Sequence, residues 1–300
     1  MISRIDLADA TTPERLVLEI FKHEPDLKIP VPIEVLCKQL DIFAIIELKT
    51  SGYEGGLITD PDKHTGTILY NKASPRRRRR FTIAHELGHF LMPSHIPSDD
   101  GKFLCSQADF FSLSRNEVDR RLRMEAEANR FAAHILLPAH YLRKDVAATK
   151  EPTLDQVRTI AEKYDVSLEV AGRSYVNFRA EPCAFILTHN FTVLRSFRHQ
   201  TDFPYISVSW GSPVPMQSVL FRRRYHTGEM SEVEETDAGV WIDVERGKKA
   251  PQLYEQVLVQ SNGYAVILLF LEHSDEEESD SESELTSKER YRRRLDRYER

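Results

Sequence analysis

Arg80-Phe-Thr-Ile-Ala-His-Glu-Leu-Gly-His-Phe-Leu-Met92 is the stretch around which the 300-residue chain is arranged. His85 and His89 are four residues apart, so on a helix both imidazoles project from one face and can reach the same metal ion. Glu86 then lies one residue round, beside the position that a metal leaves open. The flanks agree with a helix. Thr82 is a candidate cap, Pro93 a stop, and Ile83, Leu87, Phe90 and Leu91 an apolar face that would hold the imidazoles rigid.

Two imidazoles, one carboxylate and one water make an open zinc site. The metal lowers the pKa of its water to about 7, and a nearby carboxylate, here Glu86, can take the proton. A third protein ligand is needed, and the carboxylate-rich run Arg123–Pro138 is where it is expected. Glu125 and Asn129 share a helical face, so Glu125 can bind metal while Asn129 orients a ligand. Glu127 points about 200° away from Glu125 and is the weaker choice. His95 is a further conceivable ligand, but it lies beyond Pro93 and outside the helix.

RFTIAHELGHFL followed about thirty residues later by EAEANRFAAHILLP resembles the ImmA/IrrE-type metallopeptidases. Gly55-Gly56-Leu57-Ile58, Thr67-Ile68-Leu69-Tyr70-Asn71 and Leu136-Leu137-Pro138 follow in the same order, and the likeness spans about residues 15 to 180. Ile135-Leu136-Leu137-Pro138 departs from the family, where a Met before the Pro is usual. The resemblance implies a zincin-like peptidase domain, His85, His89 and Glu125 as zinc ligands, and Glu86 as base. It also implies a protein substrate, a DNA-binding repressor of stress, phage or mobile-element genes. The alternative is a noncatalytic regulator that keeps the fold and binds DNA or a protein partner.

Composition bounds the rest. At 41% hydrophobic content the chain can bury ordinary cores, and a net charge of −6 argues against a protein that coats nucleic acid. Cys37, Cys105 and Cys183 are odd in number and lack CxxC spacing, which reads as reduced thiols. With no apolar run long enough to span a bilayer, no membrane association is expected, and the cytoplasm is the default location.

The fold class expected is α+β. Helices are expected over residues 12–23, with Leu16, Leu18, Ile20 and Phe21 on the apolar face, and over Ile33–Leu40, with Val35, Leu36 and Leu40 packing inward. Strands are expected over Asp41–Leu48, Leu57–Ile58 and Thr67–Asn71, with Thr67–Tyr70 as the edge on which a peptide could lie. Arg76–Arg80 precede the HExxH helix, where positive charge opposes the helix dipole. They are either a solvated connector with one or two carboxylate partners, or a site for phosphate or an acidic segment. Residues 94–116 read as a long loop. Residues 153–176 read as two helices with a turn at Tyr164–Ser167, packing on the domain in preference to reading DNA.

A boundary is expected at Glu181-Pro182, separating a peptidase domain over 1–180 from a mixed, mainly antiparallel domain over 181–273. A sensor-like role of the GAF-like kind is known at this place in some of the resembling proteins. Its expected strands are Ala184–Thr188, Thr192–Phe197, Tyr205–Trp210, Val240–Val244, Leu253–Gln260 and Tyr264–Leu271, the last two joined by an Asn262-Gly263 hairpin. His189, His199 and His226 read as isolated surface or packing residues. The charged tail, 274–300, reads as disordered by composition.

Overall fold

The computed structural model describes residues 2–49, 53–96, 102–105, 120–199, 202–244 and 250–271. The expected tail at 274–300 lies outside them. The chain divides into two compact units, residues 1–180 with 197–200, and residues 181–196 with 201–300. The fold is α+β.

In the first unit, α1 (Pro13–His23) is capped by Thr12, whose side chain accepts from the Arg15 N–H. It buries Leu16, Val17 and Ile20, whereas Leu18 of the expected apolar face is exposed. Helix α2 (Ile33–Gln39) buries Leu36 and leaves Val35 outside. Strands β1 (Ile42–Leu48), β2 (Gly55–Thr59) and β3 (Gly66–Asn71) follow. They lead into α3 (Arg76–Leu91), which carries both histidines of the motif.

Three expectations change here. The sheet order is β1-β3-β2-β4, so β3 is interior and Thr67–Tyr70 is no edge. It pairs in parallel with β1 on one side and antiparallel with β2 on the other, so both rows of its backbone groups are used. The edges are β1 and β4 (Lys102–Cys105), and β4 arises within the stretch expected to be loop. Helix α3 also begins six residues before Thr82. Pro75 stands at its N-cap and its carbonyl accepts the Arg79 N–H at 3.0 Å. Thr82 is therefore not a cap; its hydroxyl donates to the Arg78 carbonyl one turn back, at 3.1 Å. The arginines thus form the opening turns of α3. Their charge is met by Asp165, which pairs with Arg76, Arg77 and Arg80, and by Glu54, which pairs with Arg78.

Helix α4 (Arg120–Leu136) packs along α3, burying Phe131, Ala132 and Ile135. Gly88 sets how near they come: a Cβ there would stand 3.0 Å from Phe131 Cδ1. Helices α5 (Ala139–Val146), α6 (Leu154–Lys163) and α7 (Leu168–Phe178) complete this unit. Thr153 and Ser167 cap α6 and α7, and Val157, Ile160, Ala171 and Tyr175 are buried.

The second unit holds a sheet of order β6-β5-β9-β8-β7, from β5 (Cys183–His189), β6 (Thr192–Arg198), β7 (Glu234–Thr236), β8 (Leu253–Val259) and β9 (Tyr264–Leu271). Asn262 and Gly263, with φ of 56° and 77°, make the tight β8–β9 turn. Two expected strands are absent. Tyr205–Trp210 pairs only through an isolated bridge between Ile206 and Ile242. Val240–Val244 starts instead inside α8 (Ala238–Trp241), because the Asp237 side chain caps that turn through the Gly239 N–H at 2.9 Å. Trp241, Phe203, Ile186 and Leu269 belong to the core on this sheet. Beside it Glu255 is fully buried, accepting from the Ser218 hydroxyl and, at 3.0 Å, from Trp241 Nε1.

Candidate metal centre

Helix α3 presents His85, Glu86 and His89, and α4 presents Glu125 and Asn129, with the close approach at Gly88 bringing the two faces together. His85, Glu86 and His89 are fully buried, and Glu125 is 4% exposed. The Nε2 atoms of His85 and His89 are 3.1 Å apart, and the Glu125 carboxylate lies 3.2 Å from the first and 3.5 Å from the second. Tetrahedral zinc with bonds of about 2.0–2.1 Å sets its ligand atoms about 3.3 Å apart. The three side chains have the composition and spacing of a group that can hold a metal ion.

Their outer hydrogen bonds fix the ring tautomers. His85 Nδ1 lies 3.0 Å from Asn129 Oδ1, an acceptor, so the proton sits on Nδ1 and the Nε2 lone pair faces the centre. A longer chain acts on His89. Glu127 Oε2 accepts from His95 Nε2 at 3.0 Å, which leaves His95 Nδ1 to accept from His89 Nδ1, also at 3.0 Å. The Nε2 lone pair of His89 is thereby turned inward as well. Two nitrogen lone pairs and a carboxylate at these separations repel unless a cation stands among them, so the residues fit a metal.

The electrostatics point the same way. Burial pushes the His89 imidazole down to about 3, which keeps it a neutral ligand. Burial also opposes ionisation of Glu125, yet the two imidazoles packed against it, His85 and His89, hold its carboxyl well below the usual range. For His85, burial is outweighed by the neighbouring carboxylates of Glu125 and Glu86, which raise its pKa. Two buried carboxylates therefore create a field that favours positive charge at the centre.

Two further residues position the centre. Lys63, 8% exposed, donates to the carbonyls of His89 and Met92 at 2.7 and 2.9 Å, closing the C-terminal end of α3. Gly55 of β2 lies over Glu86: a Cβ there would stand 3.3 Å from Glu86 Oε1 and 2.2 Å from Thr82 Cγ2. Neither is legible as a site residue in the sequence, since a lysine and a Gly-Gly pair in turn-rich sequence carry no ligand signature. His95 and Glu127, both conceivable as ligands from the sequence, stand behind His89, with Glu127 also accepting from Arg123 Nε at 3.0 Å. A second acidic group, Asp60, Asp62 and His64, is at the surface. There Asp60 accepts from the N–H groups of Asp62, His64 and Thr65, the work of a turn former.

Residues 37–174 match the model of the IrrE N-terminal-like domain, peptidase M78. Over these residues the chain is similar to the peptidases of the M78 family. The matched stretch contains β1 to β4 and all three residues of the His85–His89–Glu125 group. No curated protein matches the chain. Among solved structures, a Mycobacterium tuberculosis transcriptional regulator is similar, with 12% identity and a TM-score of 0.56 over 89% of this chain and 79% of that one. At that identity the likeness is one of fold. No helix among the described residues is long and apolar enough to cross a membrane.

Proposed function

We propose that the chain is a zinc-dependent endopeptidase that cleaves a regulatory protein, a DNA-binding transcriptional repressor, in the cytoplasm. The observation that carries this reading is Glu86, fully buried and adjoining an imidazole of a His-His-Glu group whose tautomers are set for metal. A zinc ion held by His85, His89 and Glu125 would supply a Lewis acid and a water with a pKa near about 7. Glu86 takes the proton from the attacking water and returns it to the departing amine. Asn129 and the His95–Glu127 pair keep the imidazoles oriented throughout. The M78 match supports peptidase chemistry. The choice of substrate rests on the kind of protein on which the family acts.

Glu86→Gln tests the reading. It keeps size and hydrogen bonding but removes the basic carboxylate, so metal content and melting temperature stay near wild type. Cleavage of a co-expressed candidate repressor falls by about 10²–10⁴. Full activity of this variant would instead favour the second reading, a noncatalytic regulator binding DNA or a partner. The fold likeness to a transcriptional regulator is what speaks for that second reading.

A further inference from the structure

The opening turns of α3 border a cavity of about 600 Å³, lined by Arg76, Arg79 and Arg80 together with Lys38 and Glu34 of the α2 helix and Tyr70 of β3. The cavity shares no residue with the His85–His89–Glu125 group, so a ligand bound there is independent of the proposed function. The arginines of the run differ in their commitments. Arg76, Arg77 and Arg80 are tied to Asp165, and Arg80 also donates to the Val31 carbonyl at 2.9 Å. Arg78 is tied to Glu54.

Arg79 has no such tie among the described residues. Its Nε is buried without a hydrogen-bond partner, and its guanidinium carbon lies 5.9 Å from the centroid of the Tyr70 ring. A buried donor left unsatisfied is costly, and a guanidinium beside an aromatic face can still offer its planar fork to an anion. Lys38, exposed on α2, likewise pairs with no carboxylate among the described residues. Four cations face one carboxylate on the lining, and Asp165 neutralises only part of the excess. A connector role accounts for Arg76, Arg77, Arg78 and Arg80. It leaves Arg79, Lys38 and the cavity unexplained.

We propose that this cavity binds a small organic phosphate ester. Arg79 and Lys38 hold the phosphate, Arg79 through its planar fork and Lys38 as a point charge. The space far exceeds a lone phosphate and falls in the about 300–1,000 Å³ range of ligand pockets, so an organic portion fills the remainder. Glu34 selects for that portion: an exposed carboxylate on the rim repels a second anionic group and accepts from a hydroxyl or amine. Sugar phosphates and nucleotides carry that combination.

The test is calorimetric titration of the purified full chain at low salt with ribose 5-phosphate, ADP and inorganic phosphate. Expected is binding of at least one ester more tightly than inorganic phosphate. Arg79→Gln and Lys38→Gln should each weaken that binding by about tenfold, the loss of one hydrogen bond to a charged group. Glu34→Gln should tighten inorganic phosphate, because it removes a repelling charge; a misfolded variant cannot mimic this gain. The proposal is overturned if no ester binds at about 10 mM, far weaker than the about 1 mM that corresponds to −4.1 kcal/mol. Inorganic phosphate binding as tightly as the esters, or affinities unchanged in both Arg79→Gln and Lys38→Gln, would overturn it as well.

Discussion

His95 Nε2 lies 3.0 Å from Glu127 Oε2, while its other ring nitrogen faces His89 Nδ1 at 3.0 Å. The pair therefore acts on the centre only through His89, by holding its proton on the outward nitrogen. Outer partners of this kind typically alter metal affinity by about 10–100-fold. Glu127→Gln and His95→Phe are accordingly expected to bind zinc about 10–100-fold more weakly in chelator competition, with the fold retained. Glu125→Ala and His85→Ala should lose the metal outright. Should Glu127→Ala lose it while Glu125→Ala keeps it, the assignment of the two glutamates is reversed.

Asp165 joins the first turns of α3 to the turn between α6 and α7, and its side chain is only 5% exposed. It sits at φ 54°, a left-handed conformation that Asn also tolerates, so Asp165→Asn changes the charge and spares the backbone. Arg80, with a side chain 11% exposed, then keeps a buried charge with its carboxylate removed. Breaking one side of such a pair costs about 3 kcal/mol. Denaturant unfolding should show a lower midpoint at unchanged slope. A midpoint equal to wild type would mean the cluster contributes no net stability.

The helices and the meeting of their faces are legible in the sequence because they rest on local spacing: His85 and His89 four apart, Glu125 and Asn129 four apart. What escapes is decided by residues far apart in sequence. Nothing in Thr67–Tyr70 marks it as interior, because its second partner, β1, joins it in parallel across the intervening β2. His95 finds Glu127 thirty-two positions away, and past Pro93 there is no helical period to signal a role. The start of α3 is hidden because five adjacent like charges look unfit for a helix N-terminus. Asp165 and Glu54, distant in sequence, offset that charge.

In the second unit, burial raises the Glu255 carboxyl, against hydrogen bonds from Ser218, Val219 and Trp241 that lower it. The folded carboxyl keeps its proton to a higher pH than the unfolded one, whose pKa is about 4.3. Folding thus takes up a proton in that window. The stability Glu255 contributes is full below about pH 4.3 and is lost as pH rises through the raised folded value. Glu255→Gln removes the titration, so its melting temperature should gain on wild type between about pH 4 and pH 7. A constant difference across that range would show that the carboxyl is not raised.

Gly55 and Thr82 meet where β2 crosses α3, directly above Glu86. A Cβ at position 55 would stand 2.2 Å from Thr82 Cγ2 and 2.9 Å from the Leu69 carbonyl. Gly55→Ala must therefore displace the strand or the side chains beneath it, at a cost of about 1–3 kcal/mol. Thr82→Ser removes Cγ2 but keeps the hydroxyl that donates to the Arg78 carbonyl. Alone it should be mild; combined with Gly55→Ala it should restore part of the lost stability, since the contact with the Leu69 carbonyl persists. The coupling between the two substitutions, read from a double-mutant cycle of unfolding free energies, should be favourable by about 0.5–3 kcal/mol. Strict additivity would mean that strand and helix do not press on each other here, and that the position of Glu86 does not depend on Gly55.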